Sequence, residues 1–196
     1  MSALAQVSTA EKIQRNRWGL WLFFLTEVST FGTFLMLRFA LWGDTRPELN
    51  QVAGLIATII LLASSFSMNR AEIAIKHGDK KNFNIGMLVT MLMGVLFFLM
   101  IATFEWGLIY IPGLSGHLQP FTSTYGSVLF LMTGMHGLHV LMGLIFVLYS
   151  WLKGRRGDYA NDNPFWIESC ALFWHFVDLV WIFFYPALYL IGKAVL

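Results

Sequence analysis

A single cysteine, Cys170, in 196 residues excludes an internal disulfide and any metal site built from several thiolates. Charge is scarce too: 12% of the residues are charged and 57% are hydrophobic. With a mean hydropathy of +0.64, that balance excludes an ordinary soluble domain and identifies an integral membrane protein. A formal net charge of +2, with thirteen Lys and Arg spread over separate loops, excludes a basic stripe for nucleic acid. There is no internal repeat, no low-complexity tract and no connecting segment long enough for a second domain, so residues 1–196 read as one membrane domain. Residues 1–17 are polar and precede an apolar segment too long for a signal-peptide core, with no small-residue cleavage pattern behind it. The first span is therefore expected to be retained.

What the chain does have is five apolar segments, approximately 18–42, 51–70, 83–109, 123–151 and 167–191. Each is long enough to cross about 30 Å of hydrocarbon as a helix, which predicts an all-α bundle of five transmembrane helices. Basic residues alternate between the connections. Lys12, Arg15 and Arg17 precede the first span, and Arg70, Lys76, Lys80 and Lys81 lie between the second and third. Lys153, Arg155 and Arg156 lie between the fourth and fifth, whereas the other connections hold only Arg46 or no basic residue. The positive-inside rule then predicts the N-terminus inside and the C-terminus outside. Trp18, Trp42, Tyr110, Trp151 and Trp166 stand where interfacial aromatics are expected.

Ionisable residues interrupt this apolar pattern. Counting 1.5 Å per residue from the inner ends places Glu27 about 14 Å deep, His175 about 12 Å, Asp178 about 16 Å and His139 about 18 Å, a single layer near the midplane. An unpaired charge there costs about 3 kcal/mol, so these side chains are expected to face protein and to pair or stay neutral. His136 and His139 share one helix face, as do His175 and Asp178, so neighbouring helices can present a histidine to a carboxylate. Glu105 and Arg38 fall near the outer ends of their spans and are expected to snorkel to the interface. The small residues of "ASSFS" (63–67) and Gly134, Gly137 and Gly143 around the histidines predict close approach of backbones. Pro186 interrupts the last span and is expected to bend its outer half.

Three stretches together carry a family resemblance. "YGSVLFLMTGMHGLHVLMG" (125–143), "LFWHFVDLVWIFFY" (172–185) and "LTEVSTFG" (25–32) resemble subunit III of the haem-copper terminal oxidases, cytochrome c oxidase among them. The segment "LLASSFSMNRAEIAIKHGDKKNF" (61–83) follows the same family's next helix and basic turn. The resemblance implies a non-catalytic subunit with no cofactor or metal of its own and haem and copper in its partners. It would pack against catalytic subunit I and other oxidase subunits, bind phospholipid, and support proton uptake in aerobic respiration. By the same resemblance Glu27 matches the family's buried carboxylate, Glu105 the acid ending the next-but-one helix, and His136, His139, His175 and Asp178 its two signature helices, a set of buried polar, structural or proton-related residues. Many members carry two further helices ahead of the one matching the first span, which form a lipid-holding cleft. The expected location is a bacterial cytoplasmic membrane.

Two alternatives stand beside that reading. Quinol oxidases and nitric oxide reductases have similar five-helix partners, and a small haem-binding membrane electron carrier would use histidines on separate helices as axial ligands. Only the fourth and fifth spans carry histidines, which counts against the haem reading.

Overall fold

The computed structural model describes residues 9–108, 118–156 and 165–195. Tyr110, most of the 112–120 connection and the side chain of Lys12 lie outside the described residues. Five helices follow in order: α1 (Thr9–Trp42), α2 (Gln51–Lys76), α3 (Lys80–Phe104), α4 (Thr124–Arg156) and α5 (Phe165–Tyr185). All five are long and apolar enough to cross a membrane. Two three-residue strands, β1 (Thr45–Pro47) and β2 (Lys193–Val195), pair in parallel with Thr45 opposite Lys193.

Three helices are longer than the apolar segments, for a reason written in their flanks. α1 starts at Thr9 and α2 continues to Lys76 because "EKIQRNR" and "AEIAIK" are good helix formers outside lipid as well as within it. The Glu72–Lys76 pair, 2.7 Å apart at i,i+4, supports the last turn of α2. α4 likewise runs on into its basic end, to Arg156. α3 is shorter than expected and stops at Phe104 rather than near 109. Gly107 adopts a left-handed φ of 64° and Leu108 N–H turns back to the Ala102 carbonyl at 2.9 Å, so the chain leaves the helix there. Pro186 opens a π-helical turn, Pro186–Leu190, closed by Ile191 N–H to the Pro186 carbonyl at 2.9 Å.

α2 and α3 form an antiparallel hairpin across a three-residue link. α5 packs against α1, α2 and α4, while α1 lies against α4 and α5 at the edge of the bundle. Trp174 of α5 marks the centre. An added Cβ on Gly94 of α3 would stand 2.5 Å from its ring, and one on Gly143 of α4 would stand 3.0 Å away. Two bare backbones therefore close on one indole, which is the packing that small residues allow in a membrane. Gly134 meets no neighbour within 4 Å, so it is not part of that contact. Trp42 is another departure: it is buried against Tyr125 with ring centroids 5.5 Å apart, and so is not an interfacial anchor.

Candidate functional site in the polar layer

The midplane side chains resolve into pairs and singles. Glu27 of α1 meets His139 of α4, with Oε2 3.1 Å from Nε2. His139 Nδ1 lies 2.8 Å from the Met135 carbonyl, which can only accept, so Nδ1 carries a proton. The second ring nitrogen is the one turned to the carboxyl, so the imidazole bridges the backbone of α4 to the side chain of α1. Phe31 lies edge-on to the imidazole at 4.8 Å and Phe173 stacks on it at 6.5 Å, closing the pair off from the bundle core.

His136, one helical turn away, has no such partner. Its ring is buried among Trp181, Phe97 and Phe184, with centroids at 5.0, 5.8 and 6.1 Å, and neither nitrogen makes a hydrogen bond among the described residues. Asp178 of α5 is also buried, within reach of the Ser65 hydroxyl of α2, though neither carboxyl oxygen makes a hydrogen bond of regular geometry among the described residues. His175 turns to α2, where Nδ1 makes a short hydrogen bond with Ser65 Oγ. The histidine-to-carboxylate pairing expected from the sequence thus exists between α1 and α4, while His136, His175 and Asp178 do not form one.

Glu105 and Arg38 overturn the expectation of snorkelling, because both are buried. Glu105 is the first residue beyond α3, and its Oε1 accepts the Tyr189 hydroxyl at 2.6 Å. Arg38 donates to the carbonyls of Ala187 at 2.7 Å, Gly43 at 3.0 Å and Thr45 at 3.4 Å, and makes a short bond to that of Ile191. Those carbonyls lie just past the end of α1 and within and beyond the short π-helical turn, where the regular helical ladder has ended. A planar guanidinium with five donors gathers them at one point.

Sequence reasoning missed a second set of polar contacts. Trp174 Nε1 donates to Ser64 Oγ at 2.9 Å and Trp181 Nε1 to Thr58 Oγ1 at 3.0 Å, joining α5 to α2. The signal was two tryptophans placed mid-span, where an indole N–H must find an acceptor within protein. At the opposite end from Arg38, Glu168 of α5 holds Arg17 of α1 at 3.3 Å and Lys76 of α2 at 3.2 Å. No group of three or more His, Cys, Asp or Glu able to hold a metal ion occurs among the described residues.

Matched against known families, residues 7–193 fit the one described as "Cytochrome c oxidase subunit III". The chain belongs to the cytochrome c oxidase subunit III family. Among its relatives, cytochrome c oxidase subunit 3 of Artemia franciscana is 35% identical over 188 residues, covering 90% of this chain and 69% of the relative. The subunit of Drosophila melanogaster is 32% identical over 189 residues (88% and 68%), and that of Equus caballus 31% over 192 residues (90% and 70%). Membership makes this chain a non-catalytic, accessory subunit of a multi-subunit haem-copper oxidase. The expectation of a bacterial cytoplasmic membrane is corrected by the same comparison: these subunit III relatives are insect, crustacean and mammalian proteins, which points to the mitochondrial inner membrane. The physical reason for the error is that apolar length and basic alternation answer to a bilayer and not to a compartment.

Proposed function

We propose that this chain is a single-domain subunit III that holds a fixed surface against catalytic subunit I of a proton-pumping oxygen reductase, with its N-terminus inside, and that it supports proton uptake there without redox chemistry. The observation carrying this reading is the Glu27–His139 pair. It spends two ionisable groups at mid-membrane on a 3.1 Å contact between α1 and α4. In hydrocarbon such groups are tolerated only when partnered, so their use here is to fix one helix against another. Phospholipid is a further ligand in this reading, and haem and copper reside in the partners.

Removing the subunit should leave an oxidase that begins turnover normally and then loses activity progressively. Oxygen consumption over many turnovers, with and without the chain in the same lipid, measures this. An enzyme dead from its first turnover, or one as durable as the complete complex, would overturn the reading. The orientation is tested by single cysteines at Phe121, which is 95% exposed, and at His77, on a background where the native Cys170 is buried. An impermeant outside reagent should label position 121 and spare position 77.

A further inference from the structure

Tyr189 differs from the other hydrogen-bonded indoles and phenols among the described residues. The indoles of Trp42, Trp106, Trp151, Trp174 and Trp181 and the hydroxyl of Tyr125 all meet neutral oxygens, whether of a hydroxyl, an amide or a backbone carbonyl. The Tyr189 hydroxyl instead donates to a carboxyl, Glu105 Oε1, at 2.6 Å. Glu105 Oε2 is enclosed and makes no hydrogen bond among the described residues, so the phenol is the partner this carboxyl has there. Both side chains are buried, Tyr189 with no exposed surface. An added Cβ on Gly54 of α2 would stand 2.7 Å from the Tyr189 ring, and Gln51 of α2 donates to the Tyr189 carbonyl at 3.0 Å. The ring therefore lies against bare backbone and is held in place.

Such a contact suits one kind of chemistry. A phenol that loses an electron becomes a strong acid, so its oxidation is easy only where a base already holds the proton. The separation of 2.6 Å lies within the range for direct proton transfer, and a carboxylate can take the proton where a neutral hydroxyl or carbonyl cannot. The electron has a route as well. Tyr185 lies with its ring centroid 5.2 Å from that of Tyr189 and its plane at 34° to it. Of the two, Tyr185 is the partly exposed one, so an oxidant outside the bundle reaches the pair through it.

We propose that Tyr189 is a redox-active tyrosine, a one-electron donor to peroxyl radicals, with Glu105 as its proton acceptor. One electron leaves the phenol by way of the Tyr185 ring while the hydroxyl proton crosses to Glu105 Oε1. Tyr189 becomes a neutral phenoxyl radical and the carboxylate becomes a carboxylic acid. The peroxyl radical takes the electron, gains a proton from water and leaves as a hydroperoxide. Because the Tyr189 proton stays in contact with the ring oxygen, a returning electron restores the phenol. This activity goes beyond the assembly role proposed above and does not depend on it.

The test uses the full chain purified in detergent away from haem-bearing partners and oxidised by a flash-generated ruthenium(III) complex. The native chain should give a persistent phenoxyl signal by electron paramagnetic resonance, forming more slowly in D2O than in H2O because the proton moves with the electron. Tyr189→Phe should lose that signal, and Tyr149→Phe, which removes an exposed phenol, should keep it. Glu105→Gln, whose amide cannot take the proton, should slow its formation about a hundred-fold. In vesicles, a lipid-soluble azo initiator that releases peroxyl radicals should raise the same signal. A signal that survives Tyr189→Phe, native rates in Glu105→Gln, equal rates in H2O and D2O, or silence with the initiator would each overturn the assignment. The isotope comparison needs no variant, so it decides the matter even where a substitution fails to fold. The assembly role stands under any of these results, since oxygen consumption by the complex tests it separately.

Discussion

α1 and α5 have almost the same mean hydropathy over their most apolar stretches, 1.6 and 1.5, yet 11% of that stretch is buried in α1 and 67% in α5. Hydropathy therefore reports that a helix crosses the membrane and not where in the bundle it stands, since lipid tails are as apolar as leucine. What separates the two helices is where their polar atoms go. Those of α1 near mid-membrane return to its own backbone, apart from Glu27, whereas Trp174, His175 and Trp181 of α5 all find partners on α2. A central helix is recognised by polar groups that its own backbone does not satisfy.

The most forceful way to break this contrast is to remove matched tryptophans. Trp174→Ala empties the space between Gly94 and Gly143 and should cost about 3 kcal/mol or more in reversible unfolding from detergent. Trp21→Ala on α1, where the ring is 60% exposed, should cost less than about 0.5 kcal/mol. Equal losses would mean that burial in the bundle does not decide stability here.

Next in size is the one polar contact that α1 does make across the bundle. His139→Leu leaves the Glu27 carboxyl without its partner and should destabilise by about 2 kcal/mol, while Glu27→Gln, which can still donate an amide N–H to Nε2, should cost less than about 1 kcal/mol. Thermal melts of both variants in one detergent measure the difference. A Gln variant worse than the Leu variant would show that charge, rather than the hydrogen bond, holds the pair.

A smaller effect is expected from hydroxyls. Thr58→Val removes the acceptor of the Trp181 indole N–H and should cost about 1 kcal/mol, whereas Thr30→Val on α1, whose hydroxyl serves only its own helix, should be near neutral. The smallest effect lies outside the membrane. Asp79 caps α3, and the backbone N–H and side-chain amide of Asn82 hold its carboxyl below the usual value. A lowered folded-state value means that the capping contribution is present above the ordinary carboxyl range and fades as pH falls through the depressed one. Melts from neutral to acidic pH should show a slight loss that Asp79→Asn removes.

Five spans were legible from apolar length alone, and residue counting put Glu27 and His139 at similar levels, as their contact requires. Helix ends were less so, because "EKIQRNR" extends α1 through propensity and Gly107 ends α3 through backbone conformation, and neither is a matter of hydropathy. Arg38 and Glu105 were misjudged for a related reason. Position near the end of a span suggests snorkelling, but the carbonyls of Ala187 and Ile191 that Arg38 meets, and the hydroxyl of Tyr189 that Glu105 meets, come within reach only once distant elements pack. Tertiary partners of that kind leave no local pattern in the chain.

Arg38 also bears on the order in which the chain is made. Two of its four carbonyl partners, at Ala187 and Ile191, belong to the last ten residues, and β2 must arrive to pair with β1 beside it. During synthesis the guanidinium thus enters the bilayer about 150 residues before those partners exist. Until then it has only the nearby carbonyls of Gly43 and Thr45 to donate to, and an incompletely satisfied cation in a span is costly and open to quality-control proteases. Arrival of the Ala187 and Ile191 carbonyls is what silences that signal: a ribosome stalled before Ala187 should leave a short-lived product, and Arg38→Leu should lengthen its lifetime.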